Sequence, residues 1–232
     1  MKVWISLIMT IMIYLLFKNI YRKWKVIVLI PVFICPLFFI FLLIIMDFPY
    51  EQYHQGTKWL TYLLQPATVA FAVPMYKHWH LLKKNMVEIL SGVLFGVTFS
   101  VFVTMFFSLL FGFSSFITHS LVPRSITTPI AVTITEKIGG NASLTAAFVI
   151  LTGITGLMLG QFLIRLLRLK TPLAKGMMFG VGAHGIGTSK AFEIGEIEGT
   201  FSSLAMILAA IFGVFFIPLL APLVEKFFAL WI

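Results

Sequence analysis

Stretch after stretch of this chain runs on apolar side chains for about the length of a bilayer crossing, and the charged residues collect between those stretches. A helix needs about 20 such residues to cross a hydrocarbon layer of about 30 Å. Runs of this kind predict helices near 3–17, 26–46, 59–76, 88–112, 142–164, 174–194 and 200–224. Only 11% of the residues are charged and mean hydropathy is +1.04, whereas soluble domains carry about 25% charged residues. Such a chain cannot cover a water-facing surface, which leaves no soluble catalytic domain. The expected fold is all-α, a polytopic transmembrane bundle of about seven spans. It forms a single membrane domain over 1–232, with 1–113 and 114–232 as candidate inverted-repeat halves.

The net charge of +9 raises the question of nucleic acid, and the placement of the charges answers it. Most basic residues fall in three short clusters between apolar runs: Lys18, Arg22, Lys23 and Lys25; Lys77, Lys83 and Lys84; Arg165, Arg168, Lys170 and Lys175. This is the pattern of cytoplasmic loops near anionic lipid headgroups, and no nucleic-acid partner is expected. It places the N-terminus outside, and with it Asp47, Glu51, Glu193, Glu196 and Glu198. Trp4, Trp24, Trp59, Trp79 and Trp231 all fall near predicted helix ends, where amphipathic rings rest at headgroup level. The apolar N-terminal stretch lacks a small-residue cleavage pattern and reads as a retained first helix. The single cysteine, Cys35, lies in an apolar run and reads as a packing residue, so no intramolecular disulfide is expected.

Three segments interrupt the apolar pattern with polar or helix-breaking residues. In Gln65 to Tyr76, Pro66 and Pro74 bracket Thr68; each proline frees a carbonyl one turn earlier, exposing backbone to a polar ligand or merely kinking a packing helix. In Pro123 to Thr135, Arg124 offers a fork suited to a carboxylate, with Ser125, Thr127 and Thr128 as hydroxyl donors. The alternative is an arginine that snorkels to the interface. Charge parity favours a re-entrant or broken helix over 114–140, because a full crossing would put the third basic cluster outside. In Phe179 to Lys190, four glycines including Gly182 and Gly185 surround His184, followed by Thr188, Ser189 and Lys190. The run matches neither nucleotide-loop spacing. It predicts an unwound helix that binds substrate or relays a proton, or a tightly packed helix with one bonded histidine. The pairs Gly92/Gly96 and Gly156/Gly160 have the spacing of close helix packing. No catalytic constellation, metal site or cofactor site is expected.

These elements, in this order, resemble the LrgB/CidB family of bacterial membrane proteins. The likeness rests on PATVAFAVPMYK (66–77), LVPRSITTPIAV (121–132), EKIGG (136–140) and AKGMMFGVGAHGIGTSKAFE (174–193), and is closer to the CidB branch. Where many members carry an acidic residue or Asn, this chain has the uncharged Gln65. The resemblance implies a multi-pass protein of the bacterial cell membrane with two functional traditions. One is holin-like or antiholin-like control of murein hydrolase activity, autolysis and programmed cell death, with a small LrgA/CidA-type partner. The other is transport of small monocarboxylates such as pyruvate or glycolate. A homo- or hetero-oligomer is expected. A carrier would build its substrate site from Gln65, Pro66, Thr68, Arg124, Ser125, Thr127, Thr128, Gly182, His184, Gly185, Thr188 and Lys190.

Overall fold

The computed structural model describes residues 2–24, 26 and 29–229, with side chains throughout except at 2, 3, 64, 65, 68, 225 and 227–229. Every regular element among them is helical, and they divide into two compact units, 1–70 and 71–232. Lys25 and Trp231 lie outside the described residues.

In the first unit, α1 (Lys2–Trp24), α2 (Pro31–Ile45), α3 (Tyr50–Tyr62) and α4 (Leu64–Ala70) follow in order, and α1 packs on α2 and α3. Thr10 and Tyr53 join α1 to α3 through a 3.0 Å hydroxyl hydrogen bond. The Tyr53 ring lies 5.3 Å from that of Phe39, and Cys35 is buried nearby on α2, as a packing residue should be. Outward positions such as Leu16, Phe41 and Ile44 are exposed apolar groups, the surface that lipid rather than water solvates.

The second unit contains α5 (Ala72–Lys77), α6 (Trp79–Lys84), α7 (Met86–Leu110), α8 (Ser115–Leu121), a 3-10 turn (Val122–Ser125), α9 (Thr128–Ile138), α10 (Ala142–Leu166), α11 (Pro172–Ile194) and α12 (Glu196–Ala229). Local chemistry sets several boundaries. Ser114, Asn141 and Thr171 each accept a backbone N–H at the start of α8, α10 and α11. Gly139, at φ 84°, ends α9 in the left-handed conformation that glycine adopts without strain.

Four helices among the described residues are long and apolar enough to cross a membrane: α1, α7, α10 and α12. The expected count of about seven is not reproduced. The 26–46 run yields only the 15-residue α2. The 59–76 run is divided among α3, α4 and α5, with turns at Leu63 and Phe71 around the two prolines.

The 174–194 run is not a straight span either. At its centre Ala183 (φ −139°, ψ 15°) and His184 (φ 40°, ψ −132°) leave the helical region. The halves 172–182 and 185–194 fold back on each other: a Cβ on Gly187 would lie 2.5 Å from the Phe179 carbonyl oxygen. Both halves run beside the same part of α12. Gly180 abuts the Ser202 carbonyl, Thr188 hydrogen-bonds the Ser202 hydroxyl at 2.9 Å, and Lys175 pairs with Glu198 at 3.7 Å. Each half is about 15 Å long, half the hydrocarbon thickness.

The 114–140 segment is also broken, into α8, the 3-10 turn and α9, with Ile126 extended between them. Its two arms are tied together where α10 begins: Ser120 accepts the Asn141 N–H at 2.7 Å and its carbonyl accepts from Thr145 at 2.8 Å. The unit therefore holds two helical hairpins entering from opposite ends. The first packs Val122, Ile126 and Ile134 against Val101 and Met105 of α7 and Ile217 of α12. The second packs Met177 and Val181 in a core with Ile89, Val93 and Val97 of α7 and Phe201, Leu204 and Ala205 of α12.

Folding back α11 corrects the expected topology. Glu196 pairs with Lys77 at 2.7 Å and lies 3.3 Å from His78, and Glu198 pairs with Lys175. These acids share one end of the unit with the basic residues they were expected to oppose across the bilayer. A half-length hairpin returns the chain to its starting side, which changes the parity of everything after it.

Glycines make these approaches close. A Cβ on Gly92 or Gly96 would meet Met177 or Val181 at 2.7 Å, and one on Gly156 would meet Ala183 at 2.5 Å, so both small-residue pairs serve packing. At Gly180 the obstacle is backbone, whereas Gly182 has open space at that position. Gly180→Ala is therefore expected to destabilise the folded protein by about 1–3 kcal/mol, and Gly182→Ala to leave its thermal unfolding in detergent nearly unchanged.

Candidate functional site

The tips of the two hairpins approach one another beside α10. The 3-10 turn that caps the first hairpin is short because Pro123 supplies no N–H and Ile126 turns extended, its own N–H donating back to the Pro123 carbonyl at 3.1 Å. This turn presents Arg124 and Ser125 to α7. Arg124 donates through Nη1 to the Thr104 hydroxyl, which in turn donates to the Ser100 carbonyl at 2.6 Å. One turn away the Ser125 and Ser100 hydroxyls lie 3.1 Å apart. No carboxylate pairs with Arg124 among the described residues.

The tip of the second hairpin is held by α10. His184 is buried, and its Nε2 lies 3.0 Å from the Val149 carbonyl oxygen. Gly153 makes room for the ring, since a Cβ there would come within 2.9 Å of it. At the start of the second half of this hairpin, the His184 carbonyl accepts from the Thr188 hydroxyl at 2.8 Å. A cleft of about 450 Å³ separates the tips, with Arg124 on one wall, Gly182 and Ala183 on the other and Thr152 and Thr155 of α10 along it.

The structure thus brings together part of the predicted set. Arg124 and Gly182 line the cleft, and Ser125 sits beside Arg124. His184 and Thr188 lock the second tip rather than facing the cleft, and Gly185 lies against Met206 of α12. Lys190 points elsewhere, held by Glu193 at 2.6 Å one turn along. Thr127 and Thr128 are half-buried at the start of α9, where the Thr127 carbonyl accepts from Ile130 and Ala131. Pro66 is exposed in the first unit, and the side chains of Gln65 and Thr68 lie outside the described residues. Sequence reasoning missed Ser100, Thr104, Thr152 and Thr155. Their signal was modest: pairs of hydroxyls three or four residues apart on long apolar helices, which face the same way. No group of three or more His, Cys, Asp or Glu that could hold a metal occurs among the described residues.

Long apolar helices surrounding two opposed hairpins, with an arginine and hydroxyls where they meet, define a polytopic helical membrane protein with a polar interior. The chain belongs to the LrgB family, whose description as an LrgB-like family matches residues 10–223. It is 42% identical over 207 residues to the uncharacterized protein YwbG of Bacillus subtilis, covering 89% of this chain and 92% of that one. It is 35% identical to the holin-like protein CidB of Staphylococcus aureus and 34% to that of Staphylococcus epidermidis, each over 93% of this chain and 94% of the relative. No solved structure matches.

The conformation of His184 supplies a test of how the second tip is built. A φ of 40° strains any residue but glycine, at a cost of about 1–3 kcal/mol. His184→Ala loses the bond to Val149 and keeps the strain, whereas His184→Gly loses the bond and relieves it. Thermal unfolding is expected to find the glycine variant more stable than the alanine variant by about 1 kcal/mol; the opposite order would mean that the turn is not strained.

Proposed function

We propose that this chain is a holin-like protein of a bacterial cell membrane that takes part in controlling murein hydrolase activity and autolysis. The observation that carries the reading is the likeness to the holin-like proteins CidB, along nearly the whole of both chains. In this proposal it works beside a small LrgA/CidA-type membrane partner, in a homo- or hetero-oligomer. Deleting its gene is expected to alter the rate of detergent-triggered autolysis of the host cells, and restoring the gene to reverse the change. Identical lysis curves in the three strains would overturn the proposal.

One structural observation favours a second reading. Arg124 borders the cleft with a hydroxyl partner and no carboxylate among the described residues. An uncompensated cation within a helical membrane protein calls for an anion, and an arginine fork fits a carboxylate. In this reading the chain is a carrier, or the carrier-like subunit of a complex, for small monocarboxylates of the pyruvate or glycolate type. Two interrupted segments entering from opposite ends suit a site reached alternately from each side. Saturable uptake of labelled pyruvate, lactate or glycolate into proteoliposomes, with or without the partner, is the expected result. Arg124→Gln is expected to reduce it about tenfold or more, the equivalent of ~1.4 kcal/mol or more in binding. Absence of saturable uptake under both conditions would sink the carrier, and release of large dyes would favour a pore.

A further inference from the structure

The cleft is much larger than its one charge requires. Small hydroxy and keto acids occupy only a few times the ~30 Å³ share of a water molecule, against about 450 Å³ here. The excess has a definite shape and lining. It follows α10 from Phe148 to Leu163, about 22 Å at 1.5 Å per residue. Arg124 stands toward the Phe148 end, since the turn that carries it lies beside Ser120, which bonds Asn141 and Thr145 where α10 begins. From there toward Leu163 the lining is apolar apart from the Thr152 and Thr155 hydroxyls, ending on Leu159, Leu163 and Met178. Leu151 and Leu159 on its rim are 56% and 48% exposed, so the cleft communicates sideways with the surface that lipid covers. Gly182 leaves open space on its wall, while Gly156 and Gly160 let Ala183 and Phe179 close against α10.

We propose that this cleft binds a single-chain amphipathic carboxylate, with the carboxylate on Arg124 and a hydrocarbon chain laid along α10 past Gly182. One cation among the cleft's lining residues matches one negative charge. Charge complementarity at one end and an apolar channel at the other distinguish a fatty-acid type of ligand from a dicarboxylate, which would strand its second charge. The proposal rests on the reading of Arg124 as an anion-pairing group and goes beyond the small acids of the carrier reading to a monocarboxylate with a longer chain.

Gly182 makes the proposal testable without disrupting the fold, because nothing lies within 4 Å of the position its Cβ would take. Gly182→Leu therefore fills the channel while leaving Arg124 in place. The experiment titrates saturated monocarboxylates of increasing chain length against the full chain in nanodiscs of zwitterionic lipid and reads the dissociation constant by ligand-dependent thermal stabilisation. For the unaltered protein, affinity is expected to rise about three- to fourfold per methylene while the chain remains in the channel. Gly182→Leu is expected to keep the affinity of the shortest acids and lose the gain for longer ones. Arg124→Gln is expected to weaken the whole series, and succinate to bind no better than acetate. Binding that depends on Arg124 but not on chain length overturns this inference while leaving the anion reading intact. Absence of Arg124-dependent binding by any acid overturns both. A chain-length effect that is the same in Gly182→Leu and in the unaltered protein assigns it to partition into the bilayer and also overturns the inference. Occupancy by a phospholipid acyl chain instead would make the acids compete with nanodisc lipid in both variants alike, again against the proposal.

Discussion

A helix that breaks inside a membrane protein releases backbone groups that lipid cannot solvate, so protein atoms must cover them. Much of the second unit is arranged around two such breaks. At His184 the carbonyl accepts from the Thr188 hydroxyl, while the imidazole reaches the Val149 carbonyl of α10. At Ile126 the N–H turns back to Pro123, and the neighbouring polar side chains Arg124 and Ser125 find Thr104 and Ser100 on α7. Neither tip is satisfied by its own hairpin alone. Each borrows from a long helix that crosses beside it, which is why α7 and α10 must pass close to the tips.

Close passage depends on the smallest side chains. Along α7, Gly92, Gly96, Ser100 and Thr104 recur every four residues and so share a slowly turning face. The two glycines receive Met177 and Val181 of the second hairpin, and the two hydroxyls receive the tip of the first. On α10, Gly153, Gly156 and Gly160 play the same part toward His184, Ala183 and Phe179. Where lipid removes the usual hydrophobic drive between helices, such contacts rely on van der Waals packing and interhelical hydrogen bonds. The stripe on α7 supplies both in sequence, first packing and then hydrogen bonding.

The functional consequence follows from where the two hairpins stop. Because each arm spans only about half the hydrocarbon thickness, the tips meet in the interior and leave a cleft between them instead of sealing it. Arg124 gives that cleft its one charge, and α10 gives it a long apolar floor. A regulator of lysis and a carrier make different demands on such a place. The likeness to CidB supports the first role, and the lone arginine gives the second its physical basis.

Composition and apolar runs were enough to establish a helical membrane protein, and the prolines and glycines located the segments where helices break. Pro123 and the glycines around His184 mark the two tips because missing donors and missing side chains are local properties, carried by the residues themselves. Even the small-residue pairs on α7 and α10 were readable as packing faces. The direction of the chain after each break was not. Hydropathy sums side chains along a run, so it reads one full crossing and two half-crossings alike, and 174–194 accordingly passed for a span. Only contacts distant in sequence decide between them: Gly180 and Thr188 both meeting Ser202, and Lys175 meeting Glu198. The same contacts placed Glu196 beside Lys77 and set Lys190 apart from the cleft. The sequence thus determined where this protein bends, and the tertiary structure decided which way, because a bend becomes a direction only when a neighbouring helix is there to receive it.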